Sequence, residues 1–453
     1  MEIKKIKLKK SFLKNLFLIS IPIIIQNFIT SSLNMVDTIM IGNLGETQIA
    51  SVGLANQIFF FVMLLGFGIN SGGSIFMSQF YGKKNYKGIK STMGICFSLG
   101  AIIGFIFFIV AVFFPTQLMR IFIKDESVIK LGSSYLRIVG FSYPITMLSF
   151  TMESACRSIG KTKLPMVVSI ISLGANTVLN YLLIFGNFNF PQLGVDGAAY
   201  ATLISRIIQL IVMYFGIRFM NFDIKFSFEE LRFDNNLLKR YIKISLPVIF
   251  NEGMWALGTI GYMVIYGYIG KEAVASIQIA MTIQNLFSVI MFGLGHGSAI
   301  IIGNKIGENE LEEAYEEAVS ISILTPIMGI LIGSLIYLCN PLILYFFNIS
   351  NEVLNDIKSL LIIIIMFLPI KFFNINMIIG VCRSGGDTKF GLLIDLLGVW
   401  IVAIPLGIFG GIVLKLGVIK TFFLISLEEA PKVILAYKRL ISKKWLKNIT
   451  NDL

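Results

Sequence analysis

Runs of about 20 predominantly apolar residues recur along the whole chain, and each is long enough to cross a bilayer as a helix. In lipid, backbone amides and carbonyls must find partners inside the protein, so such runs are expected to be helical. Hydrophobic residues make up 56% of the 453 residues and charged residues only 14%, whereas soluble domains are roughly half apolar and a quarter charged. The sequence therefore predicts an all-α polytopic membrane protein.

Twelve spans are predicted from the positions of these apolar runs. They lie at about 15–38, 50–77, 91–113, 132–153, 164–186, 195–217, 241–266, 272–300, 318–339, 357–380, 389–410 and 414–436. Most of the 38 Lys and Arg residues fall at the N-terminus, the even-numbered junctions and the C-terminus. Positive residues favour the cytoplasmic side. We therefore expect a multi-pass protein of the plasma membrane with both termini in the cytoplasm.

The second half of the chain repeats the first half at an offset of about 225 residues. Pro22 meets Pro247 in this alignment, and CRSIGKTK from Cys156 meets CRSGGDTK from Cys382. The shift places helix 1 on helix 7, so both halves enter the membrane in the same sense, as in a parallel repeat. Two six-helix lobes around a central cleft are predicted. Their boundaries are 1–220 for the N-terminal lobe, 221–240 for a cytoplasmic linker and 241–453 for the C-terminal lobe.

Five motifs along the chain resemble, in order and spacing, those of the multidrug and toxic compound extrusion (MATE) family. They are VDTIMIGNLG, FVMLLGFGINSGGSIFMSQFYGKKN, ANTVLNYLLIFG, GVDGAAYATLISR and GVCRSGGDTKF. The resemblance implies a secondary antiporter that exports cationic amphiphilic drugs or toxic organic compounds in exchange for Na⁺ or H⁺. It implies no enzymatic activity and no cofactor besides the coupling ion. We expect small organic cations and the lipid bilayer as partners, no nucleic acid, and a monomer.

Asp37 is an acidic residue within the first apolar span, and charges at mid-bilayer are candidates for function. It belongs to a polar stripe at helical spacing. The stripe consists of Asn27, Thr30, Ser31, Asn34, Asp37 and Thr38. Because a polar stripe is unfavourable against lipid, Asp37 is predicted to face the protein interior or a water-filled cavity. The alternative is an interfacial position at the outer end of the helix.

Four residues of the N-terminal half match, by resemblance, the family's cation site: Asp37, Asn176, Asn180 and Thr202. All four supply hard oxygen atoms, and many members have a second Asp where this chain has Asn180. One carboxylate with neutral oxygens balances a monovalent ion, so a Na⁺ site is preferred over a paired-carboxylate proton site. We expect helices 5 and 6 to bring no positive charge to Asp37. The alternative for the two Asn residues is hydrogen bonding between helices.

Glu252 matches a helix 7 acid that some family members use for cation coupling. Those members add an Asp on helix 10, where this chain has Lys371, Asn374 and Asn376. Glu252 therefore either forms a structural pair with Lys371, because buried charges are usually paired, or meets a cationic substrate. Together with Asn34, these residues are candidates for substrate binding or coupling. The third intramembrane acid, Asp395, is expected to pair with a basic residue such as Arg206 or Lys371.

The alternative hypothesis is a flippase of a related fold that moves lipids or lipid-linked oligosaccharides. Basic residues within predicted spans would suit a pyrophosphate group: Arg137, Arg206 and Lys371. The chain has no GxxxxGK[ST] phosphate loop, which argues against ATP-driven export by this chain alone. No metalloenzyme motif or nucleophile arrangement appears either.

Overall fold

A computed structural model describes residues 9–220, 224, 234–345 and 351–451. Within these ranges the side chains of 33, 34, 340–345, 351 and 352 are not described. The predicted linker at 221–240 falls mostly outside the described residues. The side chain of Asn34, a candidate for coupling, also falls outside them.

The described part of the chain is built from helices, and no strand occurs in it. The helices are α1 (Lys10–Gly42), α2 (Glu46–Gly82), α3 (Tyr86–Phe113), α4 (Pro115–Phe122), α5 (Glu126–Val139), α6 (Ser142–Ser158), α7 (Lys163–Phe185), α8 (Val195–Phe219), α9 (Asn235–Ile269), α10 (Lys271–Gly307), α11 (Leu311–Tyr345), α12 (Asn351–Ile375), α13 (Thr388–Leu396), α14 (Ile404–Ile408), α15 (Gly417–Ser426) and α16 (Glu429–Ile441). Among described residues, ten helices are long and apolar enough to cross a membrane. The predicted all-helical, multi-span fold is confirmed.

The fourth and twelfth predicted spans are each divided between two shorter helices. The eleventh is not divided, because a π-helical segment, Leu397–Ala403, joins α13 to α14. The chain ends α5 at Val139 and begins α6 at Ser142, and it ends α15 at Ser426 and begins α16 at Glu429. Each piece is shorter than the roughly 20 residues that one spanning helix needs. Pro431 has no backbone N–H for a continuous helical ladder, which accounts for the second break. The broken twelfth span brings charged residues into the helix bundle.

Glycine contacts reproduce the sequence repeat in three dimensions. A Cβ atom on Gly72 would overlap the side chain of Ser245, and a Cβ atom on Gly297 would overlap the side chain of Ser20. The second pair is the first pair under the repeat, because Ser20 aligns with Ser245 and Gly72 with Gly297. In both cases the missing side chain lets two helices approach closely.

Two compact units are present, and their boundaries differ from the predicted lobe boundaries. One unit contains Met1–Ile24 and Leu246–Asp452, and the other contains Ile25–Ser245. The start of α1 thus groups with the C-terminal half and the start of α9 with the N-terminal half, as the Ser20 and Ser245 contacts require. The boundaries at 220 and 241, which follow the repeat, stay a prediction. Below, the unit of 25–245 is called the N-terminal unit and the other the C-terminal unit.

Two further repeat-related glycines are expected to be essential for stability. A Cβ atom on Gly104 would lie 2.7 Å from Pro144 Cα, and one on Gly329 would lie 2.6 Å from Pro369 Cα. Because the neighbour is backbone and not a flexible side chain, Gly104→Ala and Gly329→Ala should each cost about 1–3 kcal/mol of stability through overpacking. The apparent Tm of the purified protein in detergent measures this.

Matched controls for these substitutions are Gly174→Ala and Gly253→Ala. Both glycines lie inside helices, and a Cβ atom there would meet nothing within 4 Å. Alanine favours a helix over glycine by up to about 1 kcal/mol, so the control variants should melt at or above the wild-type temperature. Equal Tm values for all four variants would contradict the close helix packing described above.

Candidate cation site and a second buried charge cluster

Asp37 on α1 is held by a pair of asparagines on α7. Asn180 Nδ2 donates a hydrogen bond to Asp37 Oδ1 at 2.6 Å and another to Asn176 Oδ1 at 3.3 Å. Asn176 and Asn180 lie one helical turn apart and are buried, whereas Asp37 is half-buried. Three of the four residues predicted to form the cation site therefore lie together. Their role in binding a cation stays a prediction.

Thr202, the fourth predicted residue, is connected to this group through a tyrosine of α5. The side chain of Tyr135 is hydrogen-bonded to Thr202 and interacts electrostatically with Asp37. Its hydroxyl also donates to Asn56 Oδ1 at 3.4 Å. Tyr135 and Asn56 are additional polar residues near Asp37 that were not predicted from the sequence. No local pattern distinguishes them from other polar residues of apolar helices.

Arg206 on α8 is a positive charge near Asp37, and the expectation that helices 5 and 6 bring none is wrong. The guanidinium interacts electrostatically with both Asp37 and Glu153. Its Nη1 donates to Gln209 Oε1 at 2.9 Å, and its Cζ lies 5.7 Å from the ring centroid of Phe59. The helical spacing places Arg206 one turn after Thr202, on the same face, and this signal was available in the sequence.

Glu153 on α6 is a second buried acid in the N-terminal unit, and its side chain is only 6% exposed. Its carboxylate accepts hydrogen bonds from Gln26 Nε2 at 3.0 Å, Gln209 Nε2 at 2.6 Å and Arg157 Nη2 at 2.8 Å. The predicted fourth span ends at this residue, and Glu153 was not among the acids predicted to be functional. The i,i+4 spacing of Glu153 and Arg157 was the sequence signal for an ion pair.

The buried charges around Asp37 are balanced. Two carboxylates, Asp37 and Glu153, interact with two guanidinium groups, Arg157 and Arg206. Gln209 connects the two pairs, because it donates to Glu153 and accepts from Arg206. The state of Asp37 is thus linked through Arg206 to polar contacts on α6 and α8.

Glu252 in the C-terminal unit pairs with an arginine and not with Lys371. Arg383 Nη2 lies 2.6 Å from Glu252 Oε1, and both side chains are largely buried. Arg383 aligns with Arg157 in the repeat, so both repeat copies use this arginine to bind a buried glutamate. Glu252 therefore forms a structural ion pair with Arg383, and the prediction that it pairs with Lys371 is wrong.

The helix 10 candidates and Asp395 lie in two separate polar groups. Asn376 Oδ1 accepts from Ser298 Oγ at 2.7 Å. Asn374 Nδ2 donates to Glu429 Oε2 at 2.7 Å. Asp395 accepts from Asn251 Nδ2 at 3.0 Å and lies 3.5 Å from Lys432 Nζ. The expected partners of Asp395, Arg206 or Lys371, are thus replaced by Lys432.

Comparison with known proteins assigns the family. The MatE family profile matches residues 22–182 and 247–409, so each half of the repeat carries one copy. The chain therefore belongs to the MatE family, whose members are transporters coupled to ion gradients. Together with the helical fold, this defines a multi-pass membrane transporter.

Curated relatives include transporters with drug-related names. The chain is 27% identical over 404 residues to the "Probable multidrug resistance protein YoeA" of Bacillus subtilis (strain 168), covering 88% of this chain and 87% of the relative. It is 26% identical over 412 residues to the "Probable multidrug resistance protein NorM" of Pasteurella multocida (strain Pm70), covering 87% and 85%. The family is that of multidrug efflux transporters for small organic compounds.

Solved structures share the fold over nearly the whole chain. A MATE crystallised in complex with MaL6 superposes with a TM-score of 0.87 at 20% identity, covering 98% of this chain and 100% of that one. A MOP superfamily transporter from Pyrococcus furiosus Vc1, described as having reverse polarity of the binding pocket, gives 0.86 at 20% identity, with 98% of each chain covered. At these identities the similarity establishes the fold.

Proposed function

We propose that the protein exports small cationic amphiphilic compounds in exchange for Na⁺ or H⁺, with the coupling cation bound at Asp37. The observation that carries the proposal is the carboxylate of Asp37 on a membrane helix. Asn180 Nδ2 lies 2.6 Å from Asp37 Oδ1 and also donates a hydrogen bond to Asn176. Carboxylate, amide and hydroxyl oxygens suit a hard cation. Asn180 offers its NH₂ group to both neighbours, so its amide would have to turn over to present oxygen to Na⁺.

Arg206 supplies a means of coupling the cation to protein conformation. When Asp37 is ionised it attracts Arg206, and when it carries a proton or Na⁺ this attraction is lost. Binding that differs between two arrangements shifts the population toward one of them. A cation at Asp37 would therefore release Arg206 toward Glu153 and Gln209, which changes the contacts between α1, α6 and α8.

We also propose a location, an oligomeric state and a coupling ion for the transporter. We infer residence in the plasma membrane with both termini cytoplasmic, from the distribution of Lys and Arg. We also infer a monomer in contact with the lipid bilayer. Na⁺ is the preferred coupling ion because one carboxylate balances one monovalent charge. The names of the relatives support organic compounds as substrates.

The test uses proteoliposomes and a fluorescent organic cation. We expect transport to be driven by an imposed Na⁺ gradient or an imposed pH gradient, and to proceed without ATP. Separate Na⁺ and pH arms identify the coupling ion. Transport that requires ATP and responds to neither gradient would overturn the proposal. Scrambling of fluorescent lipids in the same vesicles would support the flippase, although Arg206, one of the basic residues considered for a pyrophosphate, interacts with the carboxylates of Glu153 and Asp37.

A further inference from the structure

The last described residues of the chain fold back over one end of the C-terminal unit. After α16 ends at Ile441, the backbone leaves the helix, and Lys443 adopts a left-handed conformation with φ 54°. Residues 442–451 are called the C-terminal strap below. The strap contacts the end of α10, the start of α11 and the turn of residues 383–387 that precedes α13. The distribution of Lys and Arg described above favours a cytoplasmic position for this end of the unit.

Trp445 anchors the strap in the core of the C-terminal unit. Its side chain is completely buried within the hydrophobic core of this unit, and Leu446 packs against the same core. The indole Nε1 donates a hydrogen bond to Leu440 O at 3.3 Å, so the polar atom of the buried ring keeps a partner. The strap is therefore an integral, packed part of the unit.

Two polar side chains of the strap bind the elements on either side of the α10–α11 turn. Asn448 Nδ2 donates to Ile306 O, in the last turn of α10, at 3.0 Å. Lys443 Nζ donates to both carboxylate oxygens of Glu312 on α11 at 2.9 and 3.0 Å, and it lies 4.3 Å from the ring centroid of Tyr315. The side chain of Glu312 is 80% exposed, and exposed ion pairs contribute little stability. The buried tryptophan is therefore the stronger point of attachment.

Gly385 leaves the space in which the strap's backbone lies. A Cβ atom on this residue would overlap Trp445 O and would lie 3.2 Å from Trp445 Cε3. Because the overlapping oxygen belongs to the backbone, a change of side-chain rotamer cannot relieve the clash. A larger residue at position 385 is thus incompatible with the docked strap.

The sequence repeat indicates that this close contact is specific to the second half of the chain. The motifs CRSIGKTK and CRSGGDTK differ at two positions only. Ile159 of the first motif aligns with Gly385. Lys161 aligns with Asp387, which accepts hydrogen bonds from Arg439 of α16 at 2.6 and 2.9 Å. The two motifs therefore differ only where the second one meets the C-terminal end of the chain.

We propose that the C-terminal strap locks the ends of α10, α11 and α16 to the turn of residues 383–387, and that transport requires the strap to be docked. Transporters commonly move one helix bundle as a rigid body against the other. A unit whose helix ends separate locally would pass less of that movement from one helix to the next. The requirement for transport rests on the proposed function, whereas the docking itself does not.

Hydrogen exchange of the full-length protein in detergent tests the lock. Gly385→Ile introduces the residue that the first motif has in its own turn, and it displaces Trp445 O. Trp445→Ala removes the anchor from the side of the strap. Because local opening exposes amides, residues 304–315 should exchange about tenfold faster in both variants. The repeat-related residues 79–90 lie in the other unit and should exchange as in the wild type.

Two substitutions control for sequence changes alone. Lys444→Ala alters an exposed residue of the strap, next to Trp445. Gly267→Ala adds a Cβ atom to α9 that meets nothing within 4 Å. Both control variants should exchange and transport like the wild type. All variants are compared well below their melting temperatures, so that faster exchange reports local opening and not global unfolding.

Gradient-driven efflux from proteoliposomes tests the functional consequence. Gly385→Ile and Trp445→Ala should each lower the initial rate about fivefold, as expected for coupling of moderate strength. Unchanged exchange at 304–315 in both variants would overturn the lock. Wild-type efflux from variants with faster exchange would overturn its role in transport. If the wild type itself shows no gradient-driven efflux, the proposed function fails, while the exchange result still decides whether the strap locks these helix ends.

Discussion

Replacing Asp37 by asparagine is expected to reduce gradient-driven efflux at least tenfold. The substitution keeps the size of the side chain but removes the charge that a coupling cation must balance and that attracts Arg206. The amide oxygen of asparagine can still accept the hydrogen bond from Asn180, so the variant isolates the loss of charge. The measurement is the initial rate of efflux of a fluorescent organic cation from proteoliposomes under the gradient that drives the wild type.

Two variants make this result specific. Asp37→Glu retains the charge on a longer side chain and should keep part of the activity. Glu126→Gln removes an exposed acid of the same unit, paired with Arg120, and should transport like the wild type. If Asp37→Asn transports at the wild-type rate, Asp37 is not the coupling residue.

Replacing Glu153 by leucine is expected to lower the free energy of unfolding by about 3–5 kcal/mol, because removing one partner of a buried ion pair leaves the other charge uncompensated. The carboxylate binds Arg157, Gln26 and Gln209, so three polar side chains each lose one hydrogen bond. Chemical or thermal unfolding of the purified protein measures the loss.

The double variant Glu153→Leu/Arg157→Leu tests the cause. It removes both charges, and an apolar replacement for a buried ion pair is often neutral or stabilising. We therefore expect it to recover part of the lost stability relative to Glu153→Leu. If the double variant is as unstable as the sum of the two single variants, the ion pair is not the reason for the loss.

Hydropathy predicted most of the architecture, because length and apolarity are sufficient to define a spanning helix. The repeat was equally visible, since Pro22 and Pro247 align and the close contacts of Gly72 and Gly297 follow the same offset. The two divided spans were not foreseen. Because hydropathy is averaged over many residues, it does not detect a two-residue break in a helix such as the one before Glu429.

The pairing of Asp37 with Asn180 shows what family resemblance adds to local pattern. These residues are separated by 143 positions, and helical periodicity alone does not select one partner helix. The buried charges were harder to predict. Glu153 fell at the end of a predicted span, and Lys432 lies within the last predicted span but was not singled out. Which acid meets which base depends on tertiary packing, as the pairing of Glu252 with Arg383 shows.

Counterflow is the most direct test of cation exchange through Asp37. Proteoliposomes are loaded with an organic substrate, no Na⁺ or pH gradient is imposed, and uptake of ²²Na⁺ and movement of protons are recorded while the substrate leaves. Exchange predicts that the substrate gradient drives one of these cations in the opposite direction in the wild type, and that Asp37→Asn abolishes this movement. Substrate efflux with no countermovement of either cation, or countermovement unchanged in Asp37→Asn, would contradict it.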